Sequence, residues 1–136
     1  MRILPTNKKL FKYNLKETNL CDFCKSQIET TDHLFWECQH VQHLWCQLQN
    51  YLRDKEINYT LSKSEAYLGT YTHVKSDIIN FITLLMKYYI FSCKYKETEP
   101  TFTVFKNYLS LRIKIEGEIA FSRDKYDSHL KKWQHF

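Results

Sequence analysis

Four residues with metal-ligating side chains lie within 18 positions near the start of this 136-residue chain. The segment CDFCKSQIETTDHLFWEC places Cys21, Cys24, His33 and Cys38 in the spacing C-x2-C-x8-H-x4-C. Three thiolates and one imidazole form a standard tetrahedral zinc set, and such ligands favour zinc over magnesium or calcium. Because protein atoms would fill all four positions, no place remains for a reactive water. The pattern therefore predicts a structural Zn²⁺ site of the Cys3His (CCHC) zinc-finger type.

The second half of this pattern carries a geometric constraint. His33 and Cys38 are five residues apart, which would place them about 140° apart around a regular α-helix. A helix that begins near Thr31, with Thr31 or Asp32 as its N-cap, must therefore be interrupted or end before Cys38. Apolar side chains between the two ligands are expected to anchor the zinc module to the helical body: Leu34, Phe35 and Trp36.

Other interpretations of the same cysteines stay open. A C-x2-C pair can be a redox motif, although no βαβ pattern surrounds it here, and a short spacing can also arise by chance. A small cysteine enzyme has little support, because no oxyanion-binding device is evident and His33 is better explained as a ligand than as a base. Three further residues can replace His33 or Cys38 as ligands, although their positions favour packing or surface roles: His40, His43 and Cys46.

The scarcity of turn residues favours helices for the rest of the chain. Two glycines and two prolines argue against an all-β fold with many tight turns. The usual Gly-rich phosphate loops are absent, and 43% hydrophobic residues argue against a disordered chain. The expected fold is mainly α, with a small irregular Cys3His module packed on a bundle of about four to six helices. We expect residues 1–60 to form the zinc module with its flanking helices and residues 61–136 a helical part packed with it as one unit.

Apolar spacing places the individual helices. The clearest patterns cover residues 39–55 and 75–95, with further helices after Thr101 and in the tail. Ser62 and Glu65 fit a capping box at the start of a short helix, and Gly69 is well placed as the C′ residue that ends it. Gly117 is expected to break or kink its helix. A short N-terminal helix capped by Thr6 is expected to bury Leu10, Phe11 and Leu15.

The cysteine count and the apolar segments bear on the compartment. Five cysteines is an odd number, and the start of the chain lacks the apolar core of a secretory signal. The most apolar stretch, residues 78–93, is too short to span a bilayer. A reducing compartment is expected, so that Cys93 is a buried thiol and the clustered cysteines bind metal. The expected protein is intracellular, cytoplasmic or nuclear, not secreted, and without a membrane or small-molecule partner.

Charge is distributed unevenly along the chain, whose formal net charge is +5. Residues 1–19 carry five basic groups and one acid, and residues 101–136 carry seven against four. Basic ends of this kind favour a polyanionic partner, and weak, salt-dependent binding to RNA or DNA is expected. The candidate phosphate contacts are Lys8, Lys9, Lys12, Arg123, Lys125, Lys131 and Lys132, and the candidate base-stacking aromatics are Tyr13, Phe23 and Trp36.

The arrangement of these motifs resembles the zinc-binding region that follows the reverse transcriptase in LINE-type (non-LTR) retrotransposon polyproteins. The marks are LPT before a basic helix, the Cys21–Cys24 pair, Glu29-Thr30 ahead of His33-Leu34-Phe35, then Cys38 and the aromatic Trp45. A weaker similarity covers the long apolar helix, the basic stretch after it, and a proline before a Phe-x-x-Phe helix.

The resemblance implies a non-catalytic C-terminal piece of such a polyprotein. It implies contact with element RNA or target DNA during target-primed reverse transcription. No carboxylate pair for polymerisation or cleavage stands out in the chain, so enzymatic activity is not expected. The alternative is a zinc-stabilised protein-interaction module that docks on the parent polymerase or on a host protein.

Overall fold

The computed structural model describes residues 5–70 and 75–136, and within these ranges the chain forms six α-helices and one π-helical turn. The elements in chain order are α1 (Asn7–Lys12), the π turn (His33–Glu37), α2 (Gln39–Asp54), α3 (Lys63–Leu68), α4 (Ser76–Tyr95), α5 (Phe102–Ser122) and α6 (Tyr126–Lys132). The described residues contain no β-strand, although an isolated antiparallel bridge joins Leu20 and Ile28. The predicted mainly α fold is confirmed. Leu4, the first residue of the LPT motif, lies outside the described residues.

The chain divides into two compact units. One contains Met1–Gln47 and Lys87–Pro100, and the other contains Leu48–Met86 and Thr101–Phe136. In the first, Leu34 and Phe35 between the ligands are buried as predicted, whereas Trp36 is half-buried. The α2 side chains Val41, Leu44 and Trp45 are buried in the same unit. In the second, the largest fully buried side chains include Leu48, Leu52, Ile79, Ile82, Phe105 and Leu109. The expected division at residue 60 stays a prediction.

Side-chain caps begin two of the helices where the sequence predicts them. The Ser62 hydroxyl accepts a hydrogen bond from the Glu65 N–H (3.3 Å) and donates to Glu65 Oε1 (2.8 Å). Thr101 Oγ1 accepts from the Val104 N–H at 3.4 Å. Each cap satisfies an amide at the first turn that has no partner within the helix. The predicted starts of α3 and α5 are confirmed.

The prediction for the N-terminal helix is wrong in its buried side. Phe11 and Leu15 are 46% and 72% exposed. Thr6 occupies the N-cap position without a capping hydrogen bond from its side chain. The physical reason is that α1 has six residues, too few for a long apolar stripe, and its buried residue is the polar Asn7.

The helix break predicted at Gly117 does not occur, because α5 continues through it to Ser122. This glycine instead accommodates α6. A Cβ atom at residue 117 would lie 2.7 Å from Nε2 of His129, so the absent side chain leaves room for that imidazole.

None of the helices that the structure describes combines the length and apolar character needed to cross a membrane. Helix α4, the more apolar of the two long helices α4 and α5, carries Asp77, Lys87 and Lys94 along its length.

Candidate metal centre

A short antiparallel loop presents the first two ligands. The Cys21 N–H donates to the Gln27 carbonyl (2.8 Å), and the Glu29 N–H donates to the Asn19 carbonyl (2.9 Å). Inside the loop, the Lys25 N–H donates a hydrogen bond to the Cys21 carbonyl at 2.9 Å. Lys25 has the left-handed φ of 57° that this tight turn needs. The loop therefore brings Cys21 and Cys24 to the same side, as the C-x2-C spacing predicts.

The other two ligands flank the π turn. The Cys38 N–H donates to the His33 carbonyl at 2.9 Å, the five-residue hydrogen bond that defines a π-helix. This wider turn places residue 38 close to residue 33, which a regular α-helix would not do. The predicted interruption of the helix is confirmed. The cap is one residue earlier than expected, because Thr30 rather than Thr31 or Asp32 accepts the His33 N–H, at 3.0 Å.

The four ligand atoms converge. All of them lie within 4.8 Å of one another, the Cys21 and Cys38 sulfurs are 3.9 Å apart, and Cys24 Sγ lies 3.3 Å from His33 Nε2. With Zn–S near 2.3 Å and Zn–N near 2.0–2.1 Å, a tetrahedral site requires about 3.8 Å between two sulfurs and about 3.5 Å between sulfur and nitrogen. These two separations lie within about 0.2 Å of the tetrahedral values. These four residues can hold one metal ion of zinc's size and ligand preference.

The four ligand side chains shift one another's pKa values in both directions. The hydrogen bond between Cys21 and Cys38 raises the pKa of the Cys21 thiol and lowers that of Cys38. Burial acts to raise the pKa of Cys24, but hydrogen bonds from Ser26, Gln27 and His33 outweigh it and lower that pKa. Burial likewise acts to lower the pKa of His33, yet the hydrogen bond to Cys24 and the nearby sulfurs raise it. These surroundings favour the thiolate form at Cys24 and Cys38 and the protonated form at Cys21 and His33, so a bound cation would displace the latter protons.

The alternative ligands lie outside this cluster. The metal-ligating group found in residues 5–70 and 75–136 consists of Cys21, Cys24, His33 and Cys38. His40 Nδ1 instead lies 3.0 Å from Glu99 Oε1. His43 and Cys46 are exposed on α2. Cys93 is buried at 5% exposure, as expected for a core thiol.

A buried polar network beside the cluster was missed by the sequence analysis. Glu29 is fully buried, and its Oε1 lies 2.7 Å from Nζ of Lys94. Lys94 also contacts the Asp22 carboxylate, which lies 2.7 Å from Nζ of Lys16. Burial acts to raise the pKa of Asp22, but hydrogen bonds from Lys16, Lys94 and Asn7 outweigh it and lower that pKa to about 2. The available signal was helical periodicity, which places Lys94 on the buried stripe of α4, one turn after Ile90.

The candidate nucleic-acid contacts are divided between the two units. In the first unit, Lys8 and Lys12 are exposed on α1 and Lys9 is half-buried. In the second unit, Arg123, Lys125 and Lys131 are exposed. Lys132 is engaged in an ion pair with Glu116 at 3.1 Å. Of the candidate stacking aromatics, Tyr13 is exposed, whereas Phe23 and Trp36 are half-buried.

Comparison with known proteins bears on the same part of the chain. The family model described as zinc-binding in reverse transcriptase matches residues 1–45, about a third of the sequence. That match contains all four clustered ligands. No curated protein and no solved structure matches the chain. The similarity is therefore to a zinc-binding, non-catalytic region and covers the candidate metal centre.

Proposed function

We propose that residues around the cluster form a structural zinc module, in which Cys21, Cys24, His33 and Cys38 hold one Zn²⁺. The observation that carries this proposal is the convergence of four ligand atoms within 4.8 Å of one another, with the Cys21–Cys38 and Cys24–His33 separations close to those of a tetrahedral zinc ion. The family match to zinc-binding regions over residues 1–45 supports it. Zinc bound there would link the ligand loop to the π turn, and no open coordination position would remain for catalysis.

Metal analysis of the purified protein tests this module. We expect one zinc per chain by inductively coupled plasma mass spectrometry. Cys24→Ser should lose most of it, since a ligand thiolate is removed and the site is coupled to local folding. Cys46→Ser is the matched control, because Cys46 is an exposed cysteine outside the cluster. Full zinc occupancy in Cys24→Ser would contradict the ligand set.

We further propose that the module contacts RNA or DNA through its basic segments, as in target-primed reverse transcription by a LINE-type element. Three observations support this proposal. Residues 1–19 carry five basic groups against one acid, Lys8 and Lys12 are exposed on α1, and the family match is to regions of reverse transcriptases. Contacts of this kind reach phosphates, so binding should be weak, largely independent of sequence and sensitive to salt.

A titration by fluorescence anisotropy tests this contact with RNA, single-stranded DNA and duplex DNA at several salt concentrations. Replacing Lys8, Lys9 and Lys12 with Gln should reduce the slope of log K against log salt by about 2–3, since each phosphate contact contributes roughly 0.7–0.9. A control variant removes the same charge at three exposed lysines outside the candidate set: Lys96, Lys106 and Lys114. Absence of binding by the wild type at low salt would contradict the nucleic-acid proposal.

A second candidate function, docking on a partner protein, is favoured by one face of α5. Four apolar side chains at helical spacing are 41–52% exposed there: Val104, Leu111, Ile115 and Ile119. Exposed apolar stripes of this kind mark surfaces that bind proteins. The partner proposed is the parent reverse transcriptase. Calorimetry should show that the chain binds the parent reverse transcriptase and that Ile115→Glu abolishes this binding. Leu68→Glu, at an exposed leucine of α3, is the control and should leave the binding unchanged.

A further inference from the structure

The ion pair between Glu29 and Lys94 is the most buried charge pair that the structure describes. Glu29 is 0% exposed and Lys94 is 9% exposed. The Lys94 ammonium lies 2.7 Å from Glu29 Oε1 and donates to Asn7 Oδ1 at 2.8 Å. Glu29 Oε1 also accepts the Asn7 N–H at 2.9 Å. Removing Lys94 leaves Glu29 as an uncompensated buried charge, whereas Lys94 without Glu29 keeps the Asp22 carboxylate as a partner.

This pair is connected directly to the ligand loop. The second oxygen of Glu29, Oε2, accepts the backbone N–H of Asp22 at 3.1 Å. Asp22 follows the ligand Cys21, and its carboxylate contacts both Lys94 and Lys16. The next amide, that of Phe23, donates to the Cys21 sulfur at 3.4 Å. Glu29 thus holds the backbone that aims one hydrogen-bond donor at a ligand sulfur.

We infer that Lys94 is a positioning residue for the metal centre: from the C-terminal part of α4, it holds the Glu29 carboxylate that orients the Cys21–Cys24 loop. The inference rests on the zinc function proposed above. Lys94 lies 56 residues after Cys38, the last ligand in the sequence, and well outside the family match over residues 1–45. The metal-binding unit is therefore discontinuous and includes Lys87–Pro100, the second segment of the first compact unit.

The pattern of charges distinguishes the variants that test this role. In Lys94→Met, Asp22 keeps Lys16 as a partner, whereas Glu29 loses the cation at 2.7 Å and stays a buried carboxylate. The loop must then shift to hydrate Glu29, and zinc affinity should fall roughly 10- to 100-fold, the range typical of residues that orient metal ligands. In the double variant Lys94→Met/Glu29→Gln no buried charge is left unpaired. The amide oxygen introduced at residue 29 can accept only one of the two N–H groups that Glu29 accepts, so part of the lost affinity should return. Lys96→Met, at an exposed lysine two residues away, is the matched control.

The experiment measures zinc affinity of the full chain by competition with a chromophoric chelator. Co²⁺ absorption reports in parallel on the number of thiolate ligands, and circular dichroism reports on helix content. The inference predicts wild-type affinity in Lys96→Met, loss in Lys94→Met, and partial recovery in the double variant with an unchanged Co²⁺ spectrum. Equal affinity in Lys94→Met and wild type would overturn it, as would a double variant no tighter than Lys94→Met. Failure of the wild type to bind zinc would instead refute the proposed function.

Discussion

Leu34 offers a test of how the π turn contributes to the stability of the metal centre. Its side chain is 0% exposed and lies between the ligands His33 and Cys38. Leu34→Ala removes buried methyl groups and leaves a cavity, which costs about 3 kcal/mol for a leucine in this setting. For a chain of 136 residues unfolding as a whole, the entropy of unfolding is roughly 0.3 kcal/mol/K, so the melting temperature should fall by about 10 °C.

The assay is thermal unfolding followed by circular dichroism, with zinc in excess and with a chelator. Leu68→Ala is the matched control, because the leucine it removes is 76% exposed; its effect should stay within about 0.5 kcal/mol. If metal binding is coupled to folding of the turn, Leu34→Ala should also weaken zinc binding. Melting of Leu34→Ala at the same temperature as Leu68→Ala would refute the assignment of Leu34 to the core of the module.

Three further predictions concern a cap, a glycine and pH. Ser62→Ala should cost about 1 kcal/mol in urea unfolding, because the Glu65 N–H loses its acceptor; an unchanged midpoint would contradict the capping role. Gly69 has φ 83° and ψ 170°, and an added Cβ would lie 3.1 Å from Asn80 Oδ1. Gly69→Ala should therefore lower the free energy of unfolding by about 1–3 kcal/mol in the same assay. An unchanged free energy of unfolding in Gly69→Ala would show that the backbone relaxes. Zinc affinity should fall as pH is lowered from about 7.5 to about 5.5, because protons compete for three thiolates and His33, and the raised pKa of Cys21 strengthens that competition. A chelator competition at several pH values measures this, and a flat profile would argue against thiolate ligation.

The features predicted correctly are those that local patterns determine. The stripe Val41, Leu44, Trp45, Leu48 and Leu52 repeats at helical spacing, so it fixes both the course of α2 and its buried side. The capping residues act within three positions of one another, so they too can be recognised without tertiary information. The five-residue gap between His33 and Cys38 excluded a regular helix, although it did not specify a π turn.

The features that were missed depend on residues far apart in the sequence. Lys94 is paired with Glu29 only by the fold, since the two residues lie 65 positions apart in the sequence. Gly117 looked like a helix breaker, since nothing local indicated that His129 of α6 would pack against it. In α1 the polar Asn7 is buried and Phe11 exposed, because Asn7 joins the network around Glu29 and Asp22. Helical periodicity can mark a position as buried, as it does for Lys94, but it does not identify the polar partner that burial requires.

X-ray absorption at the zinc edge tests the central claim most directly, because it counts the ligand atoms around the metal in the purified protein. The account predicts a single four-coordinate site with three sulfurs near 2.3 Å and one nitrogen near 2.0–2.1 Å. In a His33→Ala variant, the nitrogen shell from this imidazole should be lost or replaced by a longer, weaker one. A spectrum with two or more nitrogen or oxygen ligands in the wild type would contradict the Cys21, Cys24, His33 and Cys38 set.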